Sequence, residues 1–508
     1  MSRALSLMIQ GTSSDAGKSV LVTALCRIFA EDGFRTAPFK SQNMALNSYI
    51  TVDGKEIGRA QGVQAEAAGI LATTDMNPIL IKPTRENESQ IVVHGEPYQN
   101  MKAKAYRSEF FPIGLKLIEE AYERLAKNYD RIVIEGAGSP AEVNLNDREM
   151  VNMRVARMTG APVILVADIE RGGVFASLVG TLQLLEPEDR DRVIGVIINK
   201  FRGDLSLLQP GLDWFEEYTG KPVLGVVPYI HNLYIDAEDS LILQQYRGRP
   251  QQKRDLDIAV IQYPRISNFT DLDPFFVEED CQLRFVTRAE ELGEPDLIIL
   301  PGSKNTIEDL QYLKQEGFDQ RLLALRETHQ SVIVGVCGGY QMLGALIRDP
   351  YEVESLCGEI PGLQLLPIET TLEKKKVTTL SQGIVRYKGI KMEVIGYEIH
   401  MGQSTAIAPL SSFVEMENRV EGGMNDQHDV MGTYFHGIFH NDSFRHALLN
   451  DLRLKKGLAP FSQRVSFNEL REKGFEQLAQ HVRKHLKMGQ IEQLMKSFQC
   501  HNRSTKVL

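Results

Sequence analysis

Short apolar runs rich in β-branched residues recur along the chain, each followed by a turn and then by a stretch with a single apolar face. In the first half these runs are residues 4–10, 36–39, 131–135, 163–167, 193–199 and 224–227. Runs apolar on both faces that alternate with helices predict a mostly parallel sheet covered on both sides. Residues 18–32 typify the helices: Val20, Leu21, Ala24, Leu25, Ile28 and Phe29 share one face at helical spacing. Polarity rises sharply over residues 244–255 (QQYRGRPQQKRD), which read as a linker. A second series of runs follows at 258–262, 284–287, 297–300 and 332–336 and ends near His440. Helical stretches come next at 443–454 and 467–486, and the polar tail, 500–508, is expected to fray. The predicted fold is α/β, with two tandem doubly wound domains. They occupy 1–243 and 256–445, joined by the 244–255 linker and followed by C-terminal helices and a tail over 446–508.

Composition narrows the class of partner. The 508 residues exceed one ordinary core, in keeping with two domains. With 43% hydrophobic and 24% charged residues the chain has the make-up of a soluble globular protein. A formal net charge of −10 argues against a nucleic-acid partner held by phosphate contacts. An anionic substrate must therefore meet local cations rather than a basic surface. The five cysteines, Cys26, Cys281, Cys337, Cys357 and Cys500, show neither a pairing pattern nor CxxC spacing, which predicts a reduced, cytoplasmic setting. No signal-peptide pattern opens the sequence, and apolar runs such as 161–167 and 331–336 have strand length, too short to cross a bilayer. No membrane partner is expected.

Candidate chemistry lies in two places. GTSSDAGKS, residues 11–19, follows a strand and opens a helix, the context of a phosphate-binding loop. Gly11 and Gly17 let the backbone curl so that its amides point at phosphate oxygens, and the helix beginning at Lys18 adds its positive end. Lys18 is expected on the terminal phosphates of ATP and the Ser19 hydroxyl on Mg²⁺. Glu135 ends a strand ahead of the turn Gly136–Gly138, at the carboxyl edge where open α/β sheets bind ligands, and is the candidate second ligand for Mg²⁺. Glu66 is a weaker candidate for the same ion. Lys40, Lys82, Arg85, Arg171 and Arg202 recur at strand or loop ends and together suit a polyanionic substrate.

The second place is SVIVGVCGGYQMLG, residues 331–344, where Cys337 sits between an apolar strand and a helix with Gly335, Gly338 and Gly339 around it. Such a turn exposes a nucleophile at a helix N-terminus, which favours the thiolate. The amide of Gly338, with that of Gly302 in LPGSKNT, forms a candidate oxyanion hole. A thiol needs a base, and GTYFHGIFHN offers His436, while His440 is either structural or auxiliary.

The phosphate loop carries five residues between its glycines rather than four and resembles that of dethiobiotin synthetase and its relatives. The Cys337 and His436 segments resemble class I glutamine amidotransferases of the cobalamin-pathway branch. Most class I members carry a glutamate two residues after the histidine; Ile438 stands there in this chain. That leaves a dyad, or an orienting group from elsewhere. The blocks FKSQNMALNS, EGAGSPAEVNL, ADIERGGVFA, RISNFTDLDP, LPGSKNT, GYEIHMG and GTYFHGIF, in this order, are similar to the cobyric acid synthase family across nearly the whole chain. The resemblance implies a carbon–nitrogen ligase that uses glutamine, ATP and Mg²⁺. It would amidate the b, d, e and g carboxylates of a corrinoid, adenosylcobyrinic acid a,c-diamide, with Cys337 as nucleophile and His436 as proton carrier. The alternatives are the sister family that amidates the a and c carboxylates of cobyrinic acid, and a non-enzymatic phosphate-loop regulatory ATPase.

Overall fold

The computed structural model describes residues 4–85, 88–230, 254–328 and 331–505. The chain forms two compact units, one of Met1–Ala45, Lys55–Ile235 and Arg471–Leu508, the other of Leu46–Gly54 and Asp236–Leu470. Residues 244–253 of the expected linker lie outside the described residues.

In the first unit six strands, β1 (Leu5–Gly11), β2 (Thr36–Phe39), β3 (Arg131–Glu135), β4 (Val163–Asp168), β5 (Val193–Phe201) and β6 (Val223–Pro228), form a parallel sheet in the order β6-β5-β4-β1-β3-β2. Both faces of β1, β3 and β4 are buried throughout, as their unbroken apolar runs require. After β1 the chain builds β2 and β3 on one side and then crosses to β4 on the other. The carboxyl ends of β1 and β3 therefore flank a switch point, the place where such sheets leave a crevice.

A smaller sheet of Gln42–Met44, Ile79–Arg85, Glu88–Val93 and Glu96–Lys102 is an addition that the apolar runs do not announce. From Arg471 onward the C-terminal helices, Phe467–His485 and Met488–Thr505, belong to this unit. Leu478, Val482, Leu486, Ile491 and Met495 share one apolar core with β1 and the helix Lys18–Glu31. Arg483 reinforces the contact by donating to Asp32 at 2.8 Å, and Lys487 N–H by donating to Leu224 O at 2.8 Å. The last helix runs on through Thr505, into the tail expected to fray, because its buried face anchors it.

In the second unit the sheet is built from β7 (Leu256–Ile261), β8 (Cys281–Val286), β9 (Leu297–Leu300), β10 (Val332–Val336), β11 (Gly423–Met424) and β12 (Val430–Thr433). Its order is β8-β7-β9-β10-β12-β11, parallel except for the β11–β12 pair. A long antiparallel hairpin, Ile368–Tyr387 with Ile390–Ala406, lies outside this sheet. Its mixed Lys, Thr and Glu content hides it from a search for apolar runs. The short segment Leu46–Gly54 folds with this unit, where Ile50 packs on Tyr397 and Ile399 of the hairpin.

Leu478 is fully buried in the core of the first unit. We expect Leu478→Ala to destabilise that unit by about 2–5 kcal/mol, the usual cost of deleting a buried leucine side chain. Calorimetry of the full chain should show one unfolding transition lowered and a second unchanged. An unaltered melt would mean that the helix is a passive appendage.

Candidate functional site

The nucleotide loop sits at the carboxyl end of β1. Gly17 adopts φ +91°, and a Cβ there would lie 2.1 Å from Asn199 Nδ2, so both conformation and space demand glycine. Asn199 in turn donates to Ala16 O at 2.9 Å and ties the loop to the end of β5. A Cβ on Gly11 would come within 2.8 Å of Lys18 Nζ. Lys18 folds back along the loop, donating to Ser13 O at 2.9 Å and to Gly138 O at 3.2 Å. The loop glycines, Lys18 and the turn after β3 are thus gathered at the switch point.

Ser19 Oγ donates to Glu135 Oε1 at 2.8 Å, which joins the two oxygen donors singled out for Mg²⁺. Glu135 is fully buried and also accepts from Lys40 Nζ at 2.9 Å and Gln64 Nε2 at 2.6 Å. Burial raises its carboxyl, but the charge of Lys40 and the hydrogen bonds from Lys40, Gln64 and Ser19 outweigh that and hold it below the ordinary range. A hydroxyl, a carboxylate and the buried, unbonded Gln64 Oε1 make a hard-oxygen environment that suits a magnesium ion shared with phosphate and water.

Glu66 is not part of this cluster: on the helix Arg59–Ala67 it pairs with Arg471, while Gln64, two residues earlier, faces Glu135. The five cations also part company. Lys40 binds Glu135, Lys82 forms a buried pair with Glu56 at 2.5 Å, Arg171 meets Asp15 at 3.3 Å and Arg202 meets Glu170 at 3.0 Å. Arg85 closes the strand Ile79–Arg85.

Cys337 follows β10 with φ 52° and ψ −108°, a conformation that a non-glycine residue holds only when its surroundings enforce it. Enforcement comes from packing. A Cβ on Gly339 would lie 1.9 Å from Leu300 O, so the turn presses directly onto the end of β9. Cys337 N–H donates to Thr433 O at 2.7 Å, and Gly339 N–H to Pro301 O at 3.1 Å. Cys337 as a residue retains 7% exposure, and its Sγ lies 3.5 Å from Ile399 O. Gly338 lies against Ser303, and Gly302 against the His436 ring, where a Cβ would come 3.2 Å from Cε1. Both candidate oxyanion donors therefore border the thiol and its base.

His436 is fully buried, and Cys337 is among the groups that act on its ring. Its Nδ1 lies 2.7 Å from Asp271 Oδ2, and the following amide, Gly437 N–H, donates to Asp271 Oδ1 at 2.8 Å. Asp271, within RISNFTDLDP, thus places a carboxylate on the ring where the position two residues after the histidine offers none. Ile438 is buried in the apolar core instead. No local spacing could have revealed Asp271, which is 165 residues from His436 in sequence. His440 is the outer prop of this arrangement: its Nε2 bonds Thr270 O at 2.8 Å, next to Asp271. The Tyr397 ring stacks on His436 with centroids 5.0 Å apart. Burial alone lowers the imidazole pKa, but the Asp271 and Cys337 charges and hydrogen bonds overcome it, and the ring is pushed up to about 10.

Beside the turn lies a cavity of about 760 Å³ lined by Tyr340, Glu398, His400, Arg419, Glu421 and Tyr434 among others. Glu398 and His400 flank Ile399, whose carbonyl lies within 3.5 Å of the sulfur. Two buried carboxyls in the lining are driven apart. Burial pushes Glu421 up to about 7, whereas the nearby His400 ring, the Ser381 hydroxyl and the Arg419 guanidinium overcome burial and bring Glu398 down to about 2.

The Asp271–His436 pair makes stability depend on pH with a definite sign. The folded-state pKa lies above the ordinary 6.5, so the contribution is full below 6.5 and is lost as pH rises through about 10. Asp271→Asn should therefore be most destabilising relative to the parent below pH 6.5, with the gap closing toward pH 10. Urea titrations across that range check it, and a gap independent of pH would mean that the pair is not ionic.

Comparison with known proteins agrees with this geometry. Residues 7–242 match the CobQ/CobB/MinD/ParA nucleotide binding domain, and residues 257–444 match the CobB/CobQ-like glutamine amidotransferase domain. The chain is 64% identical to the cobyric acid synthase of Geobacillus sp. (strain WCH70), over 98% of this chain and 99% of that one. It is 50% identical to the protein of the same name from Desulforamulus reducens, over 97% and 99% of the two chains. A third relative so named, from Clostridium botulinum, is 50% identical over 96% and 98%. With a nucleotide loop in one unit, a Cys–His–Asp constellation in the other and such relatives along nearly its full length, the chain belongs to the cobyric acid synthase family.

Proposed function

We propose that the chain is a glutamine-dependent amide ligase that converts the b, d, e and g carboxylates of adenosylcobyrinic acid a,c-diamide to amides. The observation that carries this reading is the Asp271–His436–Cys337 arrangement, in a chain that also holds a complete nucleotide loop. Glutamine occupies the cavity beside Cys337. Its α-carboxylate suits Arg419, and its α-ammonium suits the buried carboxylates Glu398 and Glu421.

Cys337 Sγ attacks the side-chain amide carbon, and the developing oxyanion is received by the amides of Gly338 and Gly302. His436, charged and held by Asp271, gives its proton to the departing nitrogen, so ammonia leaves and a thioester remains. The neutral ring then takes a proton from water, which hydrolyses the thioester to glutamate and frees Cys337. Asp271 fixes the ring so that Nε2 faces the sulfur throughout.

In the nucleotide-binding unit, ATP phosphorylates a corrinoid carboxylate. Ammonia adds to the resulting acyl phosphate, and phosphate leaves with both electrons of the C–O bond. Gly11, Gly17 and Lys18 cradle the polyphosphate, and Lys18 exchanges its main-chain carbonyl partners for phosphate oxygens. Ser19 and Glu135 would hold Mg²⁺, which when bound neutralises charge on the phosphates. Lys40, paired with Glu135, supplies a cation to the same cluster.

Incubation with corrinoid, glutamine and ATP–Mg²⁺, read by product mass, should show four added amides. A product with only the a and c positions altered would assign the sister activity, and no product would remove the proposal. Cys337→Ala should lower glutamine-driven synthesis by about 10³-fold or more while leaving synthesis from ammonium salts intact. Lys18→Ala should abolish synthesis from either nitrogen source and spare slow glutaminase turnover. Loss of both activities in Cys337→Ala would relegate the thiol to a structural role.

A further inference from the structure

Asp271 accounts for one ring nitrogen of His436, and the same turn also reaches the other. Asn268, three residues before Asp271, is buried, and its Nδ2 lies 3.5 Å from His436 Nε2. An amide side chain can be turned either way, but here a second contact fixes it. Ser48 N–H donates to Asn268 Oδ1 at 2.9 Å, so the oxygen is committed and the NH₂ group must face the imidazole. Asn268 itself holds φ 52° and ψ 36°, the left-handed conformation that asparagine tolerates better than most residues. Asp271 N–H bonds back to Asn268 O at 3.1 Å, which makes the two side chains parts of one rigid turn.

The two contacts act on the base in opposite senses. Asp271 accepts from Nδ1–H and favours the charged ring. An amide N–H aimed at Nε2 is matched only by the lone pair of the neutral ring, because in imidazolium two donors would face each other. The other titratable groups against the ring are the Cys337 thiol and the Tyr397 phenol, whose ring stacks on its face.

We propose that Asn268 is a positioning residue for the glutaminase base, its amide locked by the Ser48 backbone so that it restrains the charging of His436 promoted by Asp271. The proposal rests on the glutaminase reading above. It supplies what that chemistry needs, since an acid bound too tightly to its proton gives it up slowly to departing ammonia. The restraint depends on the segment Leu46–Gly54, which folds with this unit although its flanks belong to the nucleotide-binding unit.

The test uses the full-length chain carrying Cys337→Ala, which removes the sulfur's own influence on the ring. The His436 ¹⁵N resonances are titrated with asparagine, glycine or aspartate at position 268. Glycine suits the left-handed backbone and deletes the amide, while aspartate keeps the shape and replaces the donor by an anion, so both variants should fold. The midpoint should rise from asparagine to glycine to aspartate, by about one pH unit or more for aspartate. In the chain with Cys337 intact, Asn268→Gly should lower glutaminase kcat with little change in KM. Coincident midpoints, or a fall with glycine, would overturn the proposal, as the kcat loss would then reflect only packing. Absence of glutaminase turnover in the parent chain would instead count against the function proposed for the site.

Discussion

The buried contact between Asp271 and His436 is the interaction around which the cluster at the carboxyl edge of the second sheet is built. Taken alone, an imidazole with no exposure would be held neutral by desolvation, and its ring would be free to rotate between tautomers. The carboxylate at 2.7 Å reverses the first effect and fixes the second, because its other oxygen is pinned by Gly437 N–H. Everything near it is arranged around that fixed ring. Tyr397 covers one face, Gly302 leaves room at Cε1, Asn268 meets Nε2, and the Cys337 turn is pressed onto the end of β9 by the absence of a side chain at Gly339.

The nucleotide-binding unit follows a related logic with different chemistry. Glu135 is a buried anion that stays ionised because three donors, Ser19, Lys40 and Gln64, converge on it. Such a carboxylate is costly to leave unpaired, and these donors meet that cost. The carboxyl ends of parallel strands collect these groups in both units: Ser19 and Glu135 after β1 and β3, and Gly302, Cys337 and His436 after β9, β10 and β12. Strand polarity and right-handed crossovers make that edge the common meeting place for residues far apart in sequence.

Much of this was legible from local pattern. Both parallel sheets announce themselves as doubly apolar runs, and the phosphate loop and the thiol turn each have a compact signature whose glycines have a steric reason. The long hairpin was not legible, because its first strand is rich in Lys, Thr and Glu and its second breaks its apolar residues with Lys, Glu and Gly. The continuation of the last helix into the polar tail was hidden for a similar reason: Ile491 and Met495 are sparse in a polar stretch and matter only because a core receives them. Glu66 and Gln64 show how fine the limit is. Both lie on one short helix, and only its rotation against β3 decides that the amide, not the carboxylate, meets Glu135.

By itself the sequence determined the family, the two α/β units and the nucleotide loop, and it singled out Cys337 and His436, because each is written in residues adjacent along the chain. Only the tertiary structure decided what meets the His436 ring, what surrounds the buried glutamate and which unit holds the final helices. Those are contacts between residues tens to hundreds of positions apart. Asp271 and Asn268 lie in the block RISNFTDLDP, whose local pattern does not say what they touch; only folding brings that turn against both nitrogens of a distant ring.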